Sequence, residues 1–69
     1  MLKVDVKKLY IAMANCCMGR KDLAKASGVP ETTICNIINH KSTRPATLGK
    51  IAKALKVNAA ELLTDDFLD

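Results

Sequence analysis

Residues 20–39 read RKDLAKASGVPETTICNIIN, and the fold turns on the spacing inside them. Leu23 and Ala24 stand five and four positions before Gly28, Val29-Pro30 follows, and Ile34 and Ile37 come three apart beyond it. Two helices joined by so few residues must cross steeply. A close crossing wants a side chain without bulk at the contact, which Ala24 supplies. The turn wants a residue that tolerates positive φ, which Gly28 supplies. The second helix must then bury one stripe against the first, through Val29, Ile34 and Ile37. Pro30 suits the start of that helix, because its missing N–H would be unpaired there anyway. The spacing predicts helices over 20–27 and 31–39.

Toward the N-terminus, Val6, Leu9, Tyr10, Met13 and Cys17 follow helical spacing, with Asp5 as a plausible N-cap and Gly19 ending the pattern. Toward the C-terminus, residues 40–44 are polar and basic and read as a loop. Pro45 opens a fourth helix in which Leu48, Ile51, Ala52 and Leu55 recur. Asn58 and Glu61 are spaced as a capping box for a short fifth helix carrying Leu62 and Leu63. Residues 64–69 form an acidic tail with Phe67 and Leu68 its only large apolar groups. No stretch alternates with period two over a useful length, so no strand is expected. The expected fold is all-α, a five-helix bundle forming one domain over residues 1–69.

Bulk properties narrow the function. The chain has 69 residues, 49% of them apolar, with Tyr10 and Phe67 the only aromatics. Its core must come from Leu, Ile, Val, Ala and Met, which suits short, closely packed helices. No apolar run approaches the roughly 18 residues of a membrane span, and the N-terminus lacks a signal-peptide apolar region. A cytoplasmic location and no membrane partner are expected. Cys16, Cys17 and Cys35 make a poor disulfide framework, being odd in number with two adjacent. They also make a poor zinc site, since no C-x-x-C occurs and His40 is the lone imidazole. They read as reduced thiols acting as small apolar residues. With one His, no paired nucleophile and base, and no phosphate-cradling Gly-rich loop, no enzyme, cofactor, metal or small-molecule substrate is expected.

Charge points to a polyanion. The net charge of +4 hides an asymmetry, because Glu61, Asp65, Asp66 and Asp69 fall in the last nine residues, which hold no Lys or Arg. Residues 1–60 therefore carry all 11 basic residues against three acidic ones.

The Ala-x3-Gly-x5-Ile-x2-Ile spacing is the pattern of the DNA-binding helix-turn-helix, here spanning residues 20–39. Arg20 and Lys21 open its first helix, and Thr32, Asn36 and Asn39 occupy the outer face of its second. His40-Lys41-Ser42-Thr43-Arg44 then forms a donor-rich run where a phosphate strand would pass. Through Leu23-Ala24, Gly28-Val29, Ile34, Ile37, Arg44-Pro45, the segment from Ile51 to Val57 and Glu61-Leu62-Leu63, the sequence resembles the Cro/CI (Xre) family of phage repressors over about residues 4 to 63.

That resemblance implies a lambda-repressor-like five-helix domain whose third helix enters the major groove. It implies a homodimer on a palindromic double-stranded DNA operator, and a transcriptional regulator, a repressor of phage or mobile-element type. By position, Glu31, Thr32 and Asn36 fall where base-reading side chains project. Arg20 stands where the family often has a phosphate-contacting Gln. Lys41, Ser42, Thr43 and Arg44 fall in the backbone-contacting loop, with Lys21 and Asn39 beside them. Val57 to Leu63, helped by Phe67 and Leu68, is the expected dimer surface, unless those last two fold back onto the core.

Three positions depart from the family pattern. Its common Arg–Glu pair between helices one and three falls on Met13 and Ile38, so the ion pair looks replaced as a unit by apolar side chains. Its common Gly at the end of helix three is His40, so either His40 or Asn39 is expected to take positive φ. Glu31 is an acid on the reading face; it could accept from a cytosine amino group, stabilise the helix N-terminus, or pair with Arg20. Two rivals share the bundle: an antitoxin with a protein partner, hinted at by the acidic tail, and a protein-interaction module, which leaves the basic loop unexplained.

Overall fold

The Asp5 carboxylate accepts from the backbone N–H groups of Lys7 and Lys8 at 3.0 and 3.2 Å. It thereby pairs two of the donors that every helix start leaves open, and α1 runs Val6–Asn15 behind it. A computed structural model describes residues 2–68, with side chains described through Asp65. Three more helices follow, α2 (Arg20–Ser27), α3 (Glu31–His40) and α4 (Pro45–Leu55), then a single 3-10 turn over Ala59–Leu62. Three strands complete the chain: β1 (Leu2–Val4), β2 (Ser42–Thr43) and β3 (Leu63–Leu68).

The expectation of five helices and no strand is thus corrected. The fold is mostly helical, but Leu2–Val4, Leu63–Leu68 and the segment after α3 form an antiparallel sheet in the order β2-β1-β3. Leu2 pairs with Thr43 and Lys3 with Ser42 on one side, and Leu2 with Leu68 and Val4 with Leu63 on the other. Alternation explains the pairing. Val4 and Thr43 are buried and Leu2 packs against the core, while Lys3 and Ser42 stand on the opposite face. The expected fifth helix shrinks to one turn. Asn58 caps it, accepting from the Ala60 N–H at 3.0 Å, and Leu62 fills the core before Leu63 turns into β3. Residues 64–68 are therefore strand rather than a loose tail; the side chains of Phe67 and Leu68 lie outside the described residues.

One core joins all the helices: Leu9, Met13, Leu23, Ile34, Ile37, Leu48, Ile51, Leu55 and Leu62 are each buried to within a few per cent. Its aliphatic make-up matches the composition. The α1 stripe is narrower than its sequence spacing suggests. Tyr10 is 48% exposed, and Cys17 is exposed because α1 ends at Asn15 and Cys17 takes φ +56°. Cys16 turns inward instead, and its thiol donates to the Leu55 carbonyl at the end of α4 at 3.3 Å. All three cysteines are free thiols. No helix among the described residues is long and apolar enough to cross a membrane.

Candidate nucleic-acid interface

The helix-turn-helix forms where its spacing requires. Gly19 caps α2, with the Asp22 carboxylate accepting from the Gly19 N–H at 3.0 Å. Gly28 ends α2 at φ +73°, its N–H donating to the Ala24 carbonyl at 2.9 Å, a left-handed closure that a side chain would strain. Ser27 adds a contact that the spacing does not reveal. Its hydroxyl donates to the Leu23 carbonyl at 2.6 Å and accepts from the Val29 N–H at 3.2 Å, stitching the end of α2 to the turn. Val29, Ile34 and Ile37 are buried beneath the turn, so α3 is held by its inner stripe.

The outer stripe of α3 is thereby presented to solvent. Thr32, Asn36, Asn39 and His40 are exposed, and Glu31, Thr33 and Cys35 are half-buried at its margins. Arg20 and Lys21 are exposed at the start of α2. The Arg20 guanidinium does not reach Glu31; its Nη1 donates to Cys35 Sγ at 3.4 Å, one turn further along α3. The alternative of an Arg20–Glu31 pair is therefore not the one the structure adopts.

One correction falls in the loop after α3. Neither Asn39 nor His40 takes positive φ: α3 continues through His40, and Lys41 adopts φ +57°, its N–H donating to the Ile37 carbonyl at 2.7 Å. The Lys41 carbonyl in turn accepts from the Val4 N–H at 2.8 Å, so β1 holds the loop at that turn. Thr43 is 3% exposed, because strand alternation points it at the core opposite Leu2. It nevertheless contributes to the wall of the groove between α3 and α4. Lys41 and Arg44 remain exposed and Ser42 half-buried.

Between α3 and α4 lies an open groove of about 570 Å³, with walls that include Thr33, Asn36, His40, Ser42, Arg44 and Thr47. It joins Asn36 to the loop, with Ile37 and Thr43 also contributing to its walls. Thr33 and Thr47 belong to no motif in the sequence, although Thr33, Asn36 and His40 follow helical spacing and mark one stripe. Arg44 and Pro45 open α4 with no side chain capping its first N–H groups, and Arg44 and Thr47 of this first turn border the groove. Such a surface offers hydroxyls, an amide, an imidazole and the Arg44 cation along one edge, suited to phosphate oxygens and base edges.

Among the described residues, no group of three His, Cys, Asp or Glu side chains converges as a metal site would. No curated protein and no solved structure is similar enough to the chain to count as a match. A family model does match, that of the Cro/C1-type HTH DNA-binding domain, over residues 8–67. That span holds the helix-turn-helix, the basic loop, α4 and most of β3, and the chain belongs to the Cro/C1-type helix-turn-helix DNA-binding domain family.

Proposed function

We propose that the protein is a sequence-specific, double-stranded DNA-binding transcriptional regulator, a repressor of phage or mobile-element type, acting as a homodimer on a palindromic operator. The observation that carries this reading is the exposed stripe of Thr32, Asn36 and Asn39 on α3, continued by the basic loop and held from behind by Ile34 and Ile37. In this reading α3 enters the major groove. Asn36 is the principal reader, since its amide can meet adenine with two hydrogen bonds, and Thr32 and Glu31 extend the contact. Arg20, Lys21, Asn39, Lys41, Ser42 and Arg44 hold the phosphates and set register. Two copies place their α3 helices in successive major grooves about one helical turn apart. Regulation follows from occupying the promoter.

Selection of bound sites from random duplex DNA at fixed salt tests the reading. Wild type is expected to enrich a site of two inverted halves. Asn36→Ala relaxes the preference at one position in each half-site, by about 1–3 kcal/mol, whereas Lys41→Ala weakens all sites alike. Failure of wild type to enrich any site, together with binding insensitive to salt, rejects it.

A further inference from the structure

Among the described residues, two large apolar side chains stand in the open, and both lie on α1. Tyr10 is 48% and Ile11 53% exposed, with the exposed Ala14 one turn further along the same face. Beside them runs a groove of about 210 Å³, walled by Lys8, Ile11 and Ala12 of α1 and by Val57, Glu61 and Leu62 of the segment after α4. It shares no residue with the groove beside Asn36, so covering it takes nothing from the DNA face.

The dimer surface expected at Val57 to Leu63 is short of apolar area by itself. Leu62 is fully buried, Val57, Ala59 and Leu63 are half-buried, and the exposed members are Asn58, Ala60 and Glu61. Ile11 adjoins this segment across the groove, with Tyr10 next to it, and together they supply the apolar centre it lacks. The rim carries matching charges. Lys8 and Glu61 are both exposed, one on each wall. Lys8 Nζ donates to the Leu63 carbonyl at 3.4 Å, which holds the ammonium at the rim and leaves it two further donors. A surface with opposite charges on its two walls is complementary to itself under a two-fold axis.

From this arrangement we infer that the outer face of α1 forms the centre of the homodimer contact. It seats on the same face of a second copy, with Lys8 of each chain against Glu61 of the other. The inference rests on the homodimer of the reading above and places its interface on α1 as well as on the turn after α4.

Sedimentation of the free protein, and of its complex with duplex DNA, tests the contact, and circular dichroism checks that each variant folds. Wild type is expected to dimerise, and the variants are read in whichever setting shows the dimer. Ile11→Glu sets two carboxylates beside the axis and raises the dimer dissociation constant about ten-fold or more. Tyr10→Ser, which loses apolar contact alone, gives the measurement should the first variant fail to fold. Lys8→Glu and Glu61→Lys each set like charges against one another, and each weakens the dimer. Mixed in equal amounts, these two variants pair an acidic rim with a basic one, and a heterodimer of wild-type strength is expected. No effect confined to one chain is rescued by mixing. A dimer that Ile11→Glu and Tyr10→Ser leave intact overturns the inference and keeps the homodimer, with its contact elsewhere. Charge variants that mixing does not rescue overturn the seating of Lys8 against Glu61. A wild type monomeric both free and on duplex overturns the inference and the homodimer together. Salt-dependent duplex binding by that monomer would still leave DNA recognition standing.

Discussion

Arg20, the first residue of α2, donates from Nη1 to the Sγ of Cys35 in the second turn of α3, 3.4 Å away. The contact spans the turn of the helix-turn-helix and gives a long, exposed guanidinium a preferred direction. A sulfur acceptor is weak, so its value lies near the lower end of the 0.5–1.5 kcal/mol of an ordinary hydrogen bond. Cys35→Ala is expected to leave the melting temperature almost unchanged and to reduce DNA affinity about two-fold, by freeing Arg20 to wander. Cys35→Ser, which retains an acceptor, restores the affinity. Binding isotherms at one salt concentration decide it; wild-type affinity in Cys35→Ala shows that Arg20 needs no guide.

Met13 is 3% exposed and belongs to the core, while Ile38 packs against that core from α3. Met13→Arg therefore buries a charge with no partner. The expected loss is about 3 kcal/mol or more, which for a domain of this size lowers the melting temperature by at least about 12 °C. Adding Ile38→Glu recovers part of that loss if the two positions form the pair common in the family. Thermal unfolding followed by circular dichroism measures both, and an unchanged melting temperature in Met13→Arg refutes the assignment of Met13 to the core side of α1.

Helices α3 and α4 both end on a lysine in the left-handed region, Lys41 and Lys56, each at φ +57°. Glycine adopts this conformation without the Cβ penalty, so Lys56→Gly is expected to stabilise the protein by about 0.5–1 kcal/mol without altering DNA affinity. Lys41→Gly relieves the same strain but removes a charge from the loop. Stability then rises while affinity falls. Parallel melting and binding measurements on the two variants separate strain from function at matched backbone geometry.

Ser27 is the only described side chain that both donates to and accepts from the backbone around the turn. Ser27→Ala strands the Val29 N–H in a partly buried setting, at a cost of about 1 kcal/mol. Urea unfolding should show a lower midpoint with an unchanged slope. Ser27→Thr, which keeps the hydroxyl, is the matched control.

Legibility in the sequence followed the range of the interactions. The turn between α2 and α3 was readable because Ala24, Gly28, Ile34 and Ile37 act within a few residues of one another. Asp5, Pro45 and Asn58 mark helix starts for the same reason. The helical phase of α3 likewise assigned Thr32, Asn36 and Asn39 to the exposed face. The sheet escaped because its strands are two, three and six residues long and pair across about 40 residues or more, beyond any periodicity signal. What the loop adds beyond local reading follows from that sheet. Thr43 looks like a surface hydroxyl until β1 is laid beside it, and Lys41 takes the left-handed turn where β1 holds its carbonyl. Lys3, at the other end of that register, could not have been associated with the loop at all.

Because β1 pairs with segments far along the chain, its contacts are the least local in the molecule, and closing such long loops is entropically slow. The helical hairpin of α2 and α3 can assemble before the sheet closes. Native-state hydrogen exchange should then find the Val4 N–H, bonded to the Lys41 carbonyl, opening at lower free energy than the amides of α3 such as Ile34. In such partial openings α3 stays folded while the loop after it comes loose. The scaffold that carries Asn36 and the loop that carries Lys41 would thus belong to separate cooperative units.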